Sequence, residues 1–188
     1  MLFELTEFGR FVWISAFENG LEDLDTILRT FQDSYPGIGL QLVDLDRVAG
    51  SRFLLLATVN ALRSFGSKQP ISKTLGMEML LYISGSRQIS EAVKLVGVTP
   101  TTKRIAAVAV GTSKEEVNGS KELVSRLMNE DSRDEIVDQW SDERLKNVCA
   151  VYEIGLKELQ ATLRKGEDSA NAVERLAIER SALLAIKK

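Results

Sequence analysis

The 188-residue sequence contains no histidine. Histidine is the commonest metal ligand and the only side chain whose unperturbed pKa falls between about 5 and 8. Its absence removes Ser-His-Asp and Cys-His nucleophile systems and, with one cysteine in the chain, zinc sites of the usual Cys/His type. That lone cysteine, Cys149, allows no intrachain disulfide and fits a reducing compartment. No apolar run approaches the ~18 residues of a membrane span, and Met1 to Phe11 carries Glu4 and Glu7 where a secretory signal carries basic residues. The expected protein is soluble and cytoplasmic.

Other chemistries are missing by pattern. Gly111-Thr112-Ser113-Lys114 has a lysine but lacks the preceding glycine spacing of a phosphate-cradling loop, and reads as a strand-to-helix turn. Asp131, Asp134, Glu135 and Asp138 lack the spacing and central glycine of an EF-hand and read as a solvated acidic surface. The acids Glu22, Asp23, Asp25, Glu115 and Glu116 open helices, where negative charge complements the macrodipole without any chemistry. No catalytic residue, metal or cofactor is expected. An independent enzyme using lysine or a carboxylate as base would need a deep pocket holding a perturbed lysine, and the sequence gives no sign of one.

What is present is an ordinary globular composition, 44% hydrophobic and 27% charged. That supplies enough apolar surface to offset ordering entropy, and the length suits one domain over residues 1–188. Alternating residues from Leu2 to Phe17 predict two short strands broken near Gly9. Leu21, Leu24, Ile27, Leu28 and Phe31 fall on one helical face, predicting a helix from Leu21 to Ser34 that stops at Tyr35-Pro36-Gly37. Leu40 to Leu45 reads as a strand, and a long helix through Leu62 follows with Ser51 as N-cap and Gly66 as the stop.

The segment Thr74 to Ile83 satisfies both periods. Leu75, Met79 and Tyr82 fit a helix, while Met77, Met79, Leu81 and Ile83 fit a strand; helix is preferred because Gly66 to Lys73 already forms a complete loop. Gln88 to Val96 is a short helix with Ile89, Ala92, Val93 and Val96 on one face, and Ile105 to Val110 is a buried strand. Beyond Gly111 helices are predicted over Lys114–Asn129, Asp142–Tyr152 and from Asp168 onward. The fold class is therefore α/β (α+β): a small mixed β-sheet packed with several helices, with a helical C-terminal third.

The charge is segregated. From Arg52 to Arg104 there are eight basic residues against Glu78 and Glu91, a balance of +6, so the rest of the chain carries −9 of the net −3. An anionic partner is thus compatible with an acidic protein; solvated faces paired with the acidic remainder explain the same pattern equally well. Ser84-Gly85-Ser86-Arg87-Gln88 leads into a helix N-terminus, where unpaired N–H groups and partial positive charge favour a phosphate. Arginine supplies a fork there and glutamine can read a base edge. Aromatic platforms are sparse: Phe65 and Tyr82 are the candidates, and aromatics at helical spacing are more often core.

Lys73-Thr74-Leu75, Glu78-Met79-Leu80-Leu81-Tyr82, Ser84-Gly85-Ser86-Arg87-Gln88-Ile89 and Glu91-Ala92-Val93, lying between Ala61 and Val98, resemble the central region of the PRPK-binding protein family, the small subunit of the KEOPS complex. The likeness continues more weakly through Ile105 to Val110, Tyr152-Glu153-Ile154 and Ile178-Glu179-Arg180-Ser181-Ala182-Leu183-Leu184, and the Ser-Gly-Ser-Arg-Gln-Ile loop looks like the archaeal version. The resemblance implies a non-catalytic protein that docks on a small atypical kinase-like ATPase, and through it meets the threonylcarbamoyl transferase. It also implies recruitment of transfer RNA by its single-stranded acceptor end, for threonylcarbamoyl adenosine formation. Carried onto this chain, the RNA contacts are Arg87, Gln88, Lys68 and Lys73, with Arg63, Lys103 and Arg104 in support; Ile178, Leu183 and Leu184 are the residues for the kinase. A role in protein interaction and kinase regulation without RNA binding is the alternative.

Overall fold

Strand β1 (Leu2–Leu5) runs antiparallel to β2 (Arg10–Phe17), and Gly9 turns the chain between them with a φ of 56°, a left-handed value that suits a residue without Cβ. The computed structural model describes residues 1–19, 23–67 and 70–186. Two further strands, β3 (Gly39–Asp44) and β4 (Ile105–Gly111), complete a sheet of order β1-β2-β4-β3 in which every neighbouring pair is antiparallel. The expected mixed sheet is corrected on this point. β4 reads as a continuous apolar run because both its faces are covered, a pattern usual for parallel strands but produced here by helices on both sides of an antiparallel sheet.

Alternation along the strands divides the core in two. Val12, Ile14 and Ala16 of β2 with Ala106, Val108 and Val110 of β4 face one side, where α2 (Ser51–Phe65), α3 (Leu75–Ser84) and α8 (Ser169–Leu183) pack. Trp13, Phe17, Leu42, Ile105, Ala107 and Ala109 face the other, beneath α1 (Leu24–Ser34) and α5 (Lys114–Met128). Burying each large aliphatic side chain in such a core contributes about 1.5–3 kcal/mol.

The helix ends show where local and long-range signals differ. Asp23 caps α1 by accepting from the Thr26 amide at 3.0 Å, so the helix starts at Leu24; Leu21, the expected start, lies outside the described residues. Ser113 caps α5 and Glu116 reaches back to the Thr112 amide at 3.0 Å, as the Ser-x-x-Glu spacing favours. Ser51 is not the cap of α2 but its first helical residue. The cap comes from Asp138, whose carboxylate accepts from the Ser51 amide and hydroxyl at 2.7 Å each. Gly50, with φ 101°, lets that carboxylate approach: a Cβ there would lie 2.9 Å from Asp138 Oδ1.

The ambiguous segment is helical. In α3 the run from Glu78 to Ser84 is wholly buried, so no polar face breaks the pattern into a 3.6 period. Gly76 sets the helix against the edge strand β3: a Cβ would stand 2.4 Å from the Leu40 carbonyl oxygen. This covers an edge that would otherwise expose unpaired backbone. The C-terminal third is helical as expected, with α6 (Asp142–Val151) and α8 joined by a short helix that the sequence did not reveal, α7 (Leu156–Thr162). Among the described residues no helix is long and apolar enough to cross a membrane.

Candidate functional site

Helix α3 ends at Gly85, whose φ of 68° reverses the chain, and the Ser86 amide closes the turn on the Leu81 carbonyl at 3.2 Å. The Ser86 hydroxyl then accepts from the Gln88 amide at 3.2 Å, and α4 (Ile89–Val96) begins. This elbow leaves Arg87 and Gln88 exposed at the start of α4. It is fixed from below by Tyr152, whose hydroxyl donates to the Ile83 carbonyl at 2.8 Å. Burial pushes the Tyr152 phenol well above its usual range, so it remains a donor.

The elbow meets the end of α8. A depression of about 460 Å³ lies between them, with Ser86, Arg87 and Gln88 on one side and Glu153, Arg180 and Leu184 on the other. The open side of Gly85 looks onto the Arg180 carbonyl, 3.6 Å from where a Cβ would sit. Arg180 pairs with Glu158 at 2.6 Å, drawing the start of α7 to the last turns of α8. At this end of the molecule Leu156 is 79% exposed and Ile186 74% exposed. Both leave apolar surface open to solvent. Sequence reasoning passed over Leu156 because α7 went unseen.

Of the residues expected to meet the kinase, Leu183 and Ile178 are half-buried, whereas Leu184 is 0% exposed in the core. Leu184 therefore holds α8 to the body of the protein and offers no surface. Ile178 packs against the same core from its edge.

The basic residues fall into three places. Arg87 and Gln88 form the elbow. Arg63, in the last turn of α2, pairs with Glu7 at 3.5 Å and stands 5.9 Å from the centre of the Phe8 ring, while Lys73 is exposed just before α3. Lys103 is exposed ahead of β4, and Arg104 beside it is half-buried and forked onto the Asp46 carboxylate, with Nε donating to Oδ2 at 3.2 Å. That bond raises the Arg104 guanidinium pKa and commits its charge inside the protein. Arg104 is accordingly a half-buried cation already paired with Asp46. Lys68 lies outside the described residues.

Tyr82 is 3% exposed and belongs to the core, as expected of aromatics at helical spacing, while Phe65 is half-buried. On α4 only Ala92 and Val96 are buried; Ile89 is 46% and Val93 45% exposed, on the face beside the elbow. Glu78, one of two acids in the basic stretch, is buried and accepts from the amides of Ile71 at 3.3 Å and Ser72 at 2.7 Å, fixing the loop before α3.

A family model described as kinase binding protein CGI-121 matches residues 21–185. A curated protein from Methanocaldococcus jannaschii, named regulatory protein Cgi121, is 38% identical over 61 residues. That alignment covers 32% of this chain and 39% of the relative, so the matched stretch spans about two fifths of that protein's length.

Proposed function

The chain belongs to the CGI-121 family of kinase-binding proteins, and from that premise we propose that it is a non-catalytic, cytoplasmic subunit of the KEOPS complex. It docks as one unit on the small atypical kinase-like ATPase, and through that subunit reaches the threonylcarbamoyl transferase. It also holds transfer RNA by its single-stranded acceptor end while threonylcarbamoyl adenosine is made elsewhere in the assembly. The observation that carries the RNA part is the elbow: Arg87 and Gln88 exposed at the start of α4, with the aliphatic pair Ile89 and Val93 open beside them.

The chemistry suits a strand end. Arginine forks onto phosphate and the helix start adds partial positive charge. The kinase reading rests on the family, with the exposed Leu156 and Ile186 and the half-buried Leu183 as candidate contacts. A second reading, regulation of the kinase without RNA contact, draws on the name of the archaeal relative.

Transfer RNA binding measured with intact and trimmed acceptor ends separates the two readings. Affinity is expected to fall about tenfold or more on trimming, on raising salt, and in the double variant Arg87→Glu, Gln88→Ala. Equal affinity for trimmed and intact RNA at low salt would leave only the regulatory reading.

A further inference from the structure

At the opposite end of α3 from the elbow lies a second concavity, a groove of about 610 Å³ between the β1–β2 turn, the approach to β3, the end of α2 and the start of α3. The ten residues of α3 separate the two places by about 15 Å. The size falls among ordinary ligand sites, which run from about 300 to about 1,000 Å³. Among the described residues none that lines the groove is acidic, in a chain with 27 acids against 24 bases. Arg10 and Lys73 stand on it, while Phe31 and Leu62 close its floor at 1% and 8% exposure. Phe65, Leu75 and Met77 are half-buried along its walls.

The lining decides what kind of molecule it suits. Single-stranded nucleic acid uses aromatic faces as stacking platforms along a cationic track. Here the ring of Phe8 already faces the Arg63 guanidinium at 5.9 Å and Phe31 is buried, which leaves Phe65 alone among largely aliphatic walls. Aliphatic grooves receive apolar anchors of peptides, and methionine adapts their shape to the anchor. Arg10 and Lys73, on a lining that carries no acid among the described residues, give the electrostatic complement for carboxylates that flank such an anchor, although Arg10 also feels the Glu116 carboxylate of α5.

We propose that this groove docks an acidic peptide segment of a partner protein, with its apolar anchor against Phe65, Leu75 and Met77 and its carboxylates facing Arg10 and Lys73. Lys73 then serves a protein contact, separate from the RNA elbow, and the site stands whether or not the elbow binds RNA. The docking needs no change in the fold, because the floor and walls are already in place.

The test is fluorescence anisotropy of the full chain with a short labelled peptide, Glu-Asp-Leu-Leu-Phe-Glu-Asp, at low salt. Saturable binding is expected, weakened about tenfold or more by Arg10→Glu with Lys73→Glu and unaffected by Arg87→Glu. Binding should also be lost when the acids of the peptide become lysines or its apolar centre becomes serine. These peptide controls use the unaltered protein, so they decide the matter even if the double variant unfolds. Three outcomes overturn the proposal: no saturable binding, equal binding of the lysine peptide, or displacement of the acidic peptide by a single-stranded oligonucleotide from the Arg87→Glu protein, which would assign the groove to nucleic acid.

Discussion

The Tyr152 hydroxyl donates to the carbonyl of Ile83 across 2.8 Å, joining the end of α6 to the last turn of α3 inside the core. The last carbonyls of a helix have no partner within it, and this one is buried where water cannot replace one. The same ring meets Phe53 of α2 edge-on, with centroids 5.3 Å apart. One side chain therefore holds the support of the elbow against two other helices. Tyr152→Phe keeps the ring and removes the bond. It is expected to cost about 1–2 kcal/mol in chemical denaturation, with no change in secondary structure by circular dichroism.

The cap of α2 gives a second prediction. From 87 residues away Asp138 accepts from the first amide of α2 and from the Ser51 hydroxyl. Asp138→Ala should destabilise the protein by about 1–2 kcal/mol, measured by urea unfolding. Ser51→Ala, which removes only the hydroxyl bond, should cost less. Equal costs would mean that the amide bond contributes nothing.

How much of this was legible in the sequence depended on how local each signal is. Strand β4 and helices α2 and α5 could be read from apolar period and nearby breakers, because the residues that define them are adjacent. α3 was ambiguous because a helix buried on nearly every side loses its polar face. Ser51 was misread as a cap because Asp138 is remote, and the pairing of Arg104 with Asp46 could not be foreseen because Asp46 lies 58 residues before it. Ile89, Ala92, Val93 and Val96 could be read as one helical face, but not which of them the fold buries: only Ala92 and Val96 are. For the site, Arg87 and Gln88 were legible as a loop leading into a helix. Their closeness to α8 was not, since it depends on tertiary packing alone.

The turn between α7 and α8 predicts a pH dependence. Glu167 accepts from the Arg175 guanidinium, one bond at 2.9 Å, and from the Arg164 amide at 3.0 Å. The Arg175 bond, with the amide behind it, lowers the Glu167 carboxyl from 4.5 to about 2. A carboxyl with a depressed folded-state pKa adds stability that is complete above its unfolded value and is lost as pH falls through the folded one. Wild type should thus lose this contribution between about pH 5 and pH 2. Glu167→Gln should melt earlier than wild type at neutral pH, and the gap should narrow across that acid range in thermal scans. A constant gap would mean that the ion pair contributes no pH-linked stability.

The most direct measurement is calorimetric titration of the full chain with the small kinase-like ATPase proposed as its partner. Leu183, half-buried in the last turn of α8, and the exposed Leu156 and Ile186 define the surface under test. The predicted result is a saturable equimolar complex, weakened about tenfold or more by Leu183→Asp or Leu156→Asp while Arg87→Glu leaves it unchanged. Absence of a complex, or a complex as tight with both leucines replaced, would contradict the assignment of this end of the molecule to the kinase.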